Sequence, residues 1–110
     1  MTSTRNSSAK RAARPHETDY SRAFKKDWDR LSRSGRYDMN RLKEAMQRIA
    51  ANDGPLPPEW SDHELKGAQW KDHRECHIGG DFWLIYRIFD GSPSGQVSFV
   101  RAGTHSELFG

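Results

Sequence analysis

The chain has 110 residues, 34% of them apolar and a single cysteine, with a formal net charge of +3. That length suits one domain with a modest core, and no apolar run approaches the roughly 18 residues of a membrane span, so a soluble protein with no membrane partner is expected. Cys76 has no second cysteine to pair with, which excludes an intramolecular disulfide and fits a reducing compartment such as the cytoplasm.

Residues 1–14 hold Arg5, Lys10, Arg11 and Arg14 and no acid. They read as a disordered basic tail ahead of a single domain over 15–110. The segment has no apolar stretch of secretory type; its Arg- and Ser-rich, acid-free composition is also that of an organellar transit peptide. Four of the 18 basic residues lie there, so 15–110 sets 14 basic against 15 acidic side chains. Nucleic-acid affinity of the folded part must then come from local patches rather than bulk charge.

"RPHETDY" (14–20) suits a short extended segment. "DYSRAFKKDWDRLSRSG" predicts a helix, because Phe24, Trp28 and Leu31 recur at helical spacing. Asp19 or Ser21 suits its cap and Gly35 its end. A second helix follows in "DMNRLKEAMQRIAAN", with Met39, Leu42, Met46 and Ile49 as its stripe and Asp38 as its cap. The short "SGRY" connection favours an antiparallel helix pair. Prolines in "DGPLPPEW" forbid continuation. From Leu65 the pattern changes to "HELKG", "WKDHRECHI", "DFWLIYRIFD" and "QVSFVRAG", short segments punctuated by "GG" and "GSPSG". These predict an antiparallel meander. The fold class is therefore α+β, two N-terminal antiparallel helices on one face of a small, mainly antiparallel sheet.

The other sheet face carries the chemistry. With Gly79-Gly80 as a two-residue hairpin loop, His77 opposes Phe82 and Ile78 opposes Asp81. Alternation puts Glu75 on the face of His77 and turns Cys76 away, so Cys76 and His77 cannot chelate one metal. His63, His77 and His105 recur near segment ends with Glu75 and Asp81, whereas His16 and His73 read as solvated. Each histidine alone is more simply a surface or capping residue; together they suit proton transfer near neutral pH. Lys66, Lys71, Arg74, Arg87 and Arg101 are candidates to hold a phosphate, and Phe82 and Phe109 to stack on bases. No CxxC, HExxH or HxH spacing and no phosphate-binding glycine loop occurs, so neither a metal nor a cofactor is implied. Cofactor-free RNA cleavage, which needs a base for the ribose 2′-OH, an acid for the leaving 5′-oxygen and cations for the phosphate, suits such a set.

"DHELKG", "WKDHRECHI", "DFWLIYRIFD" and above all the terminal "RAGTHSELFG" resemble the YafQ branch of the RelE/ParE toxin superfamily. The likeness covers about residues 20–110 and is dense from Asp62 onward. It implies a small bacterial toxin with a short C-terminal helical turn, belonging to a type II toxin–antitoxin pair. Such toxins cleave mRNA in the ribosomal A site, and an antitoxin protein neutralises them in a hetero-oligomeric complex. By position it implies site roles for His63, Glu75, His77, Asp81, Phe82, His105 and Phe109. His105 would protonate the leaving oxygen. His63, His77 and Asp81 would manage the 2′-OH proton and orient the phosphate, the base among them unassigned, with Glu75 as a further catalytic residue. Arg74, Arg87 and Lys71 would offset charge. Glu75 stands where the branch often has Asp, Phe82 where it has Trp, and Ala68-Gln69 lengthens the turn after Gly67. The alternative reading is a ParE-like toxin that poisons DNA gyrase, against which the histidine set argues. A third is a metal-binding regulatory domain.

Overall fold

A computed structural model describes residues 15–89 and 95–110; the expected tail over 1–14 and most of the "GSPSG" turn lie outside the described residues. Strand β1 (Glu17–Tyr20) leads into helix α1 (Arg22–Ser34), and helix α2 (Met39–Ala51) follows. Between the cap candidates for α1 the structure selects Ser21. Its Oγ accepts from Phe24 N at 2.9 Å and donates to the Val100 carbonyl at 2.6 Å, so the cap also ties the helix start to the last strand. Gly35 closes α1 in the left-handed region at φ 71°. Asp38 caps α2 through Arg41 N at 3.0 Å, and Asn52, at φ 58°, ends it.

Four further strands complete a five-stranded sheet: β2 (His63–Glu64), β3 (His73–His77), β4 (Trp83–Phe89) and β5 (Gln96–Gly103). The order is β1-β5-β4-β3-β2. The run β2 to β5 is the expected antiparallel meander. The extended N-terminal segment adds something the sequence pattern did not announce, a parallel edge strand against β5. Short 3-10 turns at Pro58–Trp60 and Ala68–Trp70 flank β2. The C-terminal helical turn is α3 (His105–Phe109). Among the described residues no helix is long and apolar enough to cross a membrane.

Phe24 and Leu31 of α1 and Leu42, Ala45 and Ile49 of α2 enter one core with Cys76, Leu84, Tyr86, Val97 and Phe99 of the sheet. Asp27 also points inward, only 4% exposed. Its carboxylate accepts from Arg101 Nε at 2.7 Å, Ala102 N at 3.0 Å and Arg30 Nη2 at 3.1 Å. A buried charge needs such partners, and here they fasten α1 to β5.

The β3–β4 register departs from the expected hairpin. His77 pairs with Trp83, not Phe82. Ile78 N and Gly79 N both donate to the Phe82 carbonyl, at 2.8 and 3.3 Å. The loop is thus longer than two residues, and Gly80 takes the left-handed φ of 53° that lets it close. A one-residue shift in register exchanges the two faces of a strand. Phe82 is consequently a core residue, 3% exposed and 4.9 Å from the Tyr37 ring centroid. It cannot stack on a base, and Trp83 occupies the face assigned to it.

Candidate active site

The face away from the helices is organised around Glu75. Its side chain is 3% exposed, and both oxygens are engaged by histidines from other segments: Oε1 lies 3.1 Å from His63 Nε2 and Oε2 lies 2.9 Å from His105 Nε2. The two imidazoles are about half exposed, at 49% and 46%. His63 reaches Glu75 because β2 pairs with β3 in the register His63↔Glu75. His63 Nδ1 also lies 2.6 Å from the Ser61 carbonyl. Both its ring nitrogens therefore face acceptors, which only an imidazolium, or a protonated Glu75, satisfies.

His105 is held by the segment that opens α3. Thr104 and Glu107 form a capping box, with Glu107 N donating to Thr104 Oγ1 at 3.1 Å and Thr104 N donating to Glu107 Oε1 at 2.9 Å. Glu107 Oε2 is 2.7 Å from Arg30 Nη1, which ties α3 to α1. His105 N donates to Asp81 Oδ1 at 3.1 Å, and the Trp83 indole N–H donates to the same oxygen at 3.2 Å. Asp81 thus orients two site groups, Trp83 and the start of α3. The Trp83 ring stacks on His105 with centroids 4.2 Å apart and planes at 13°. Its other ring neighbours are His77 at 4.6 Å and His63 at 6.5 Å. His77 Nε2 lies 2.6 Å from the Gly80 carbonyl, which fixes that nitrogen as the donor.

The structure thus brings together His63, Glu75, His77, Asp81 and His105, with Phe109 at the margin, 5.5 Å from His105 and 45% exposed. It does not bring Arg74 there. Arg74 alternates with Glu75 and faces the core side, where its Nε is 3.3 Å from both Asp62 oxygens. Burial lowers its pKa, but the hydrogen bond and charge of Asp62, with Tyr86 beside it, raise it above the ordinary value; its charge is spent on a protein carboxylate. Arg101 is likewise held by Asp27. Arg87 lies opposite His73 on the Glu75 face, and Lys71 is exposed in the adjoining turn. His73, read as solvated, is half-buried and meets Trp70 at 5.4 Å. Trp83 is the site residue that sequence reasoning passed over; the indole was visible two residues after Asp81, but the hairpin length decided which aromatic faced outward. Cys76 is buried in the core as its alternation implies, and burial, followed by the charges of Asp62 and Glu75, pushes its thiol above 9.0. It is no nucleophile.

Residues 16–110 match a family model described as bacterial toxin of type II toxin–antitoxin system, YafQ. The chain is 38% identical over 94 residues to the mRNA interferase toxin YafQ of Escherichia coli strain K12, an alignment that spans 86% of this chain and 96% of that one. Its structure is similar to a chain of the E. coli DinJ–YafQ complex, with a TM-score of 0.75 and 38% identity over 86% of this chain and 99% of the other. It is also similar to a metal-bound toxin from Helicobacter pylori, with a TM-score of 0.74 and 37% identity over 86% and 99%. Among the described residues of this chain, no group of three or more His, Cys, Asp or Glu is arranged to hold a metal ion. By the span of the family match and the identity to its E. coli relative, the chain belongs to the YafQ family of bacterial type II toxin–antitoxin toxins.

Proposed function

We propose that this chain is an endoribonuclease toxin that cleaves mRNA at the ribosome in the bacterial cytoplasm and is silenced by a cognate antitoxin protein. The relatives named as mRNA interferases and the DinJ–YafQ complex support the class of activity and of partner. The observation that carries the chemistry is Glu75, buried between two half-exposed imidazoles. A carboxylate in that position keeps a proton on the histidine that acts as acid.

In the proposed reaction the ribose 2′-oxygen attacks the adjoining phosphorus and the bond from phosphorus to the 5′-oxygen breaks. The 2′-OH proton passes to His77, since both ring nitrogens of His63 already face acceptors, and His105 donates a proton to the departing 5′-oxygen. The products are a 2′,3′-cyclic phosphate and a 5′-hydroxyl. Arg87 and Lys71 offset phosphate charge, Trp83 and Phe109 offer stacking surfaces, and Asp81 holds Trp83 and His105 in place.

The test is induction of the chain in bacteria with mapping of mRNA 5′ ends, beside a His105→Ala variant. In-frame cuts that vanish with the variant, at unchanged thermal unfolding, are expected; positioned acid–base groups typically contribute about 10²–10⁴-fold in rate. Growth arrest with intact mRNA and broken DNA would instead point to gyrase poisoning. Wild-type cutting by His105→Ala would remove the acid role.

A further inference from the structure

We propose that Trp70, His73, Arg87 and Lys71 form a second RNA subsite, beside the catalytic cluster, that stacks the base of an adjoining nucleotide on Trp70 and holds its phosphate on the two cations. The proposal rests on the reading of the chain as an RNA-cleaving toxin. Its starting point is a row of rings on the Glu75 face. From Trp83 the row runs to His105 at 4.2 Å, Phe109 at 5.5 Å, Trp70 at 5.4 Å and His73 at 5.4 Å. Only the first of these contacts is a parallel stack; Trp70 meets its two neighbours near a right angle, at 74° and 81°.

Trp70 stands apart from the other tryptophans. Trp60 is in the core, Trp28 packs against it, and Trp83 stacks on His105. Trp70 belongs to none of these groups and is half-buried on its 3-10 turn, outside the core cluster. A large amphipathic ring left outside the core, continuous with a site for RNA, is a stacking surface.

The cations around it are not held by close carboxylates. Arg30, Arg74 and Arg101 sit within 2.7–3.3 Å of carboxylates. The carboxylate partner of Arg87 is Asp72 at 3.9 Å, with side chains 38% and 56% exposed, a contact worth little in water, and its guanidinium lies 4.4 Å from the Phe89 ring centroid, an attraction that a phosphate can outweigh. Its Nε makes no hydrogen bond, so turning the guanidinium toward a phosphate breaks none there. Lys71, next to Trp70, is exposed. The β3–β4 register sets Arg87 opposite His73, which brings charge and rings together at one end of the face.

The experiment is single-turnover cleavage on ribosomes programmed with short mRNAs in which the nucleotide on either side of the scissile pair is intact or abasic. Wild type should lose about tenfold or more when one of these bases is removed, the scale of one base–aromatic stack. Trp70→Ala should show that loss on intact mRNA and no further loss on the abasic one, and Trp70→Phe should restore most of the sensitivity. Were Trp70 only an anchor for α3 through Phe109, Trp70→Ala would slow both mRNAs by the same factor and the sensitivity to the missing base would persist; that result overturns the subsite. Cleavage by wild type with no sensitivity to either abasic position also overturns it. Absence of cleavage on every mRNA would overturn the RNA-cleaving reading itself.

Discussion

Glu75 shows how one buried side chain can set the chemistry of its exposed neighbours. Glutamine at this position keeps the shape but replaces one oxygen by a donor amide. Only one of the two histidines then finds an acceptor, and neither finds a charge. Glu75→Gln should lower cleavage at neutral pH by a factor on the order of 10² and displace the pH–rate profile. Stability should change little, because neutralising a buried carboxylate removes a desolvation cost as well as an attraction. Rates across pH and thermal unfolding on the same variant check this; a wild-type profile would separate Glu75 from the proton transfers. On the opposite side of the sheet, Asp62 accepts from the Tyr86 hydroxyl at 2.6 Å and from Arg74. This network borders His63 in sequence and lies behind it in space.

At the scale of elements, the last helix is short and depends on its entry. Gly103 has φ 155°, and a Cβ built there would lie 2.5 Å from Glu107 Oε1. That oxygen is already committed to the Thr104 amide. Gly103→Ala should therefore break the capping box, at about 0.5–2 kcal/mol for the lost cap and about 1–3 kcal/mol for backbone strain. Because α3 carries His105 and Phe109, cleavage should fall further than the folded fraction does. Gly79→Ala is the control: nothing lies within 4 Å of its added Cβ, so both readouts should stay near wild type. Equal behaviour of the two variants would show that the capping box does not position His105.

At the scale of the molecule, two buried acids tie stability to alkaline pH. Burial, then the hydrogen bond and charge of Asp62, push the Tyr86 phenol above 10.0; burial and nearby carboxylates do the same to the Cys76 thiol above 9.0. Both pKa values are raised in the folded state, so the folded chain keeps protons that the unfolded chain releases. Their contribution is complete below the unfolded values and is lost as pH rises past them, at about 1.4 kcal/mol per pH unit for each group. The melting temperature should fall from about pH 9 upward. Tyr86→Phe should cost about 1–3 kcal/mol at neutral pH, since Asp62 loses a donor, and should flatten the part of the decline above about pH 10. An unchanged slope in that variant would refute the linkage.

The sequence alone was enough for the parts governed by neighbours in the chain. Helical spacing of Phe24, Trp28 and Leu31, the cap at Asp38, the stop at Gly35 and the change to short β-rich segments all report local preferences, and each has its counterpart in the structure. Alternation along one strand likewise sufficed to turn Cys76 inward and to keep Glu75 and His77 on one face. Tertiary structure decided what depends on pairing between segments. A longer hairpin loop sent Phe82 into the core and Trp83 into the site. Asp62, a residue with no distinguishing spacing, claimed Arg74. Glu75 acquired its two histidines only through β2 pairing and the docking of α3. The physical reason is the same in each case: a local pattern specifies which residues share a face, whereas contacts across the sheet depend on register and on competition among distant charges, and no short stretch of sequence contains either.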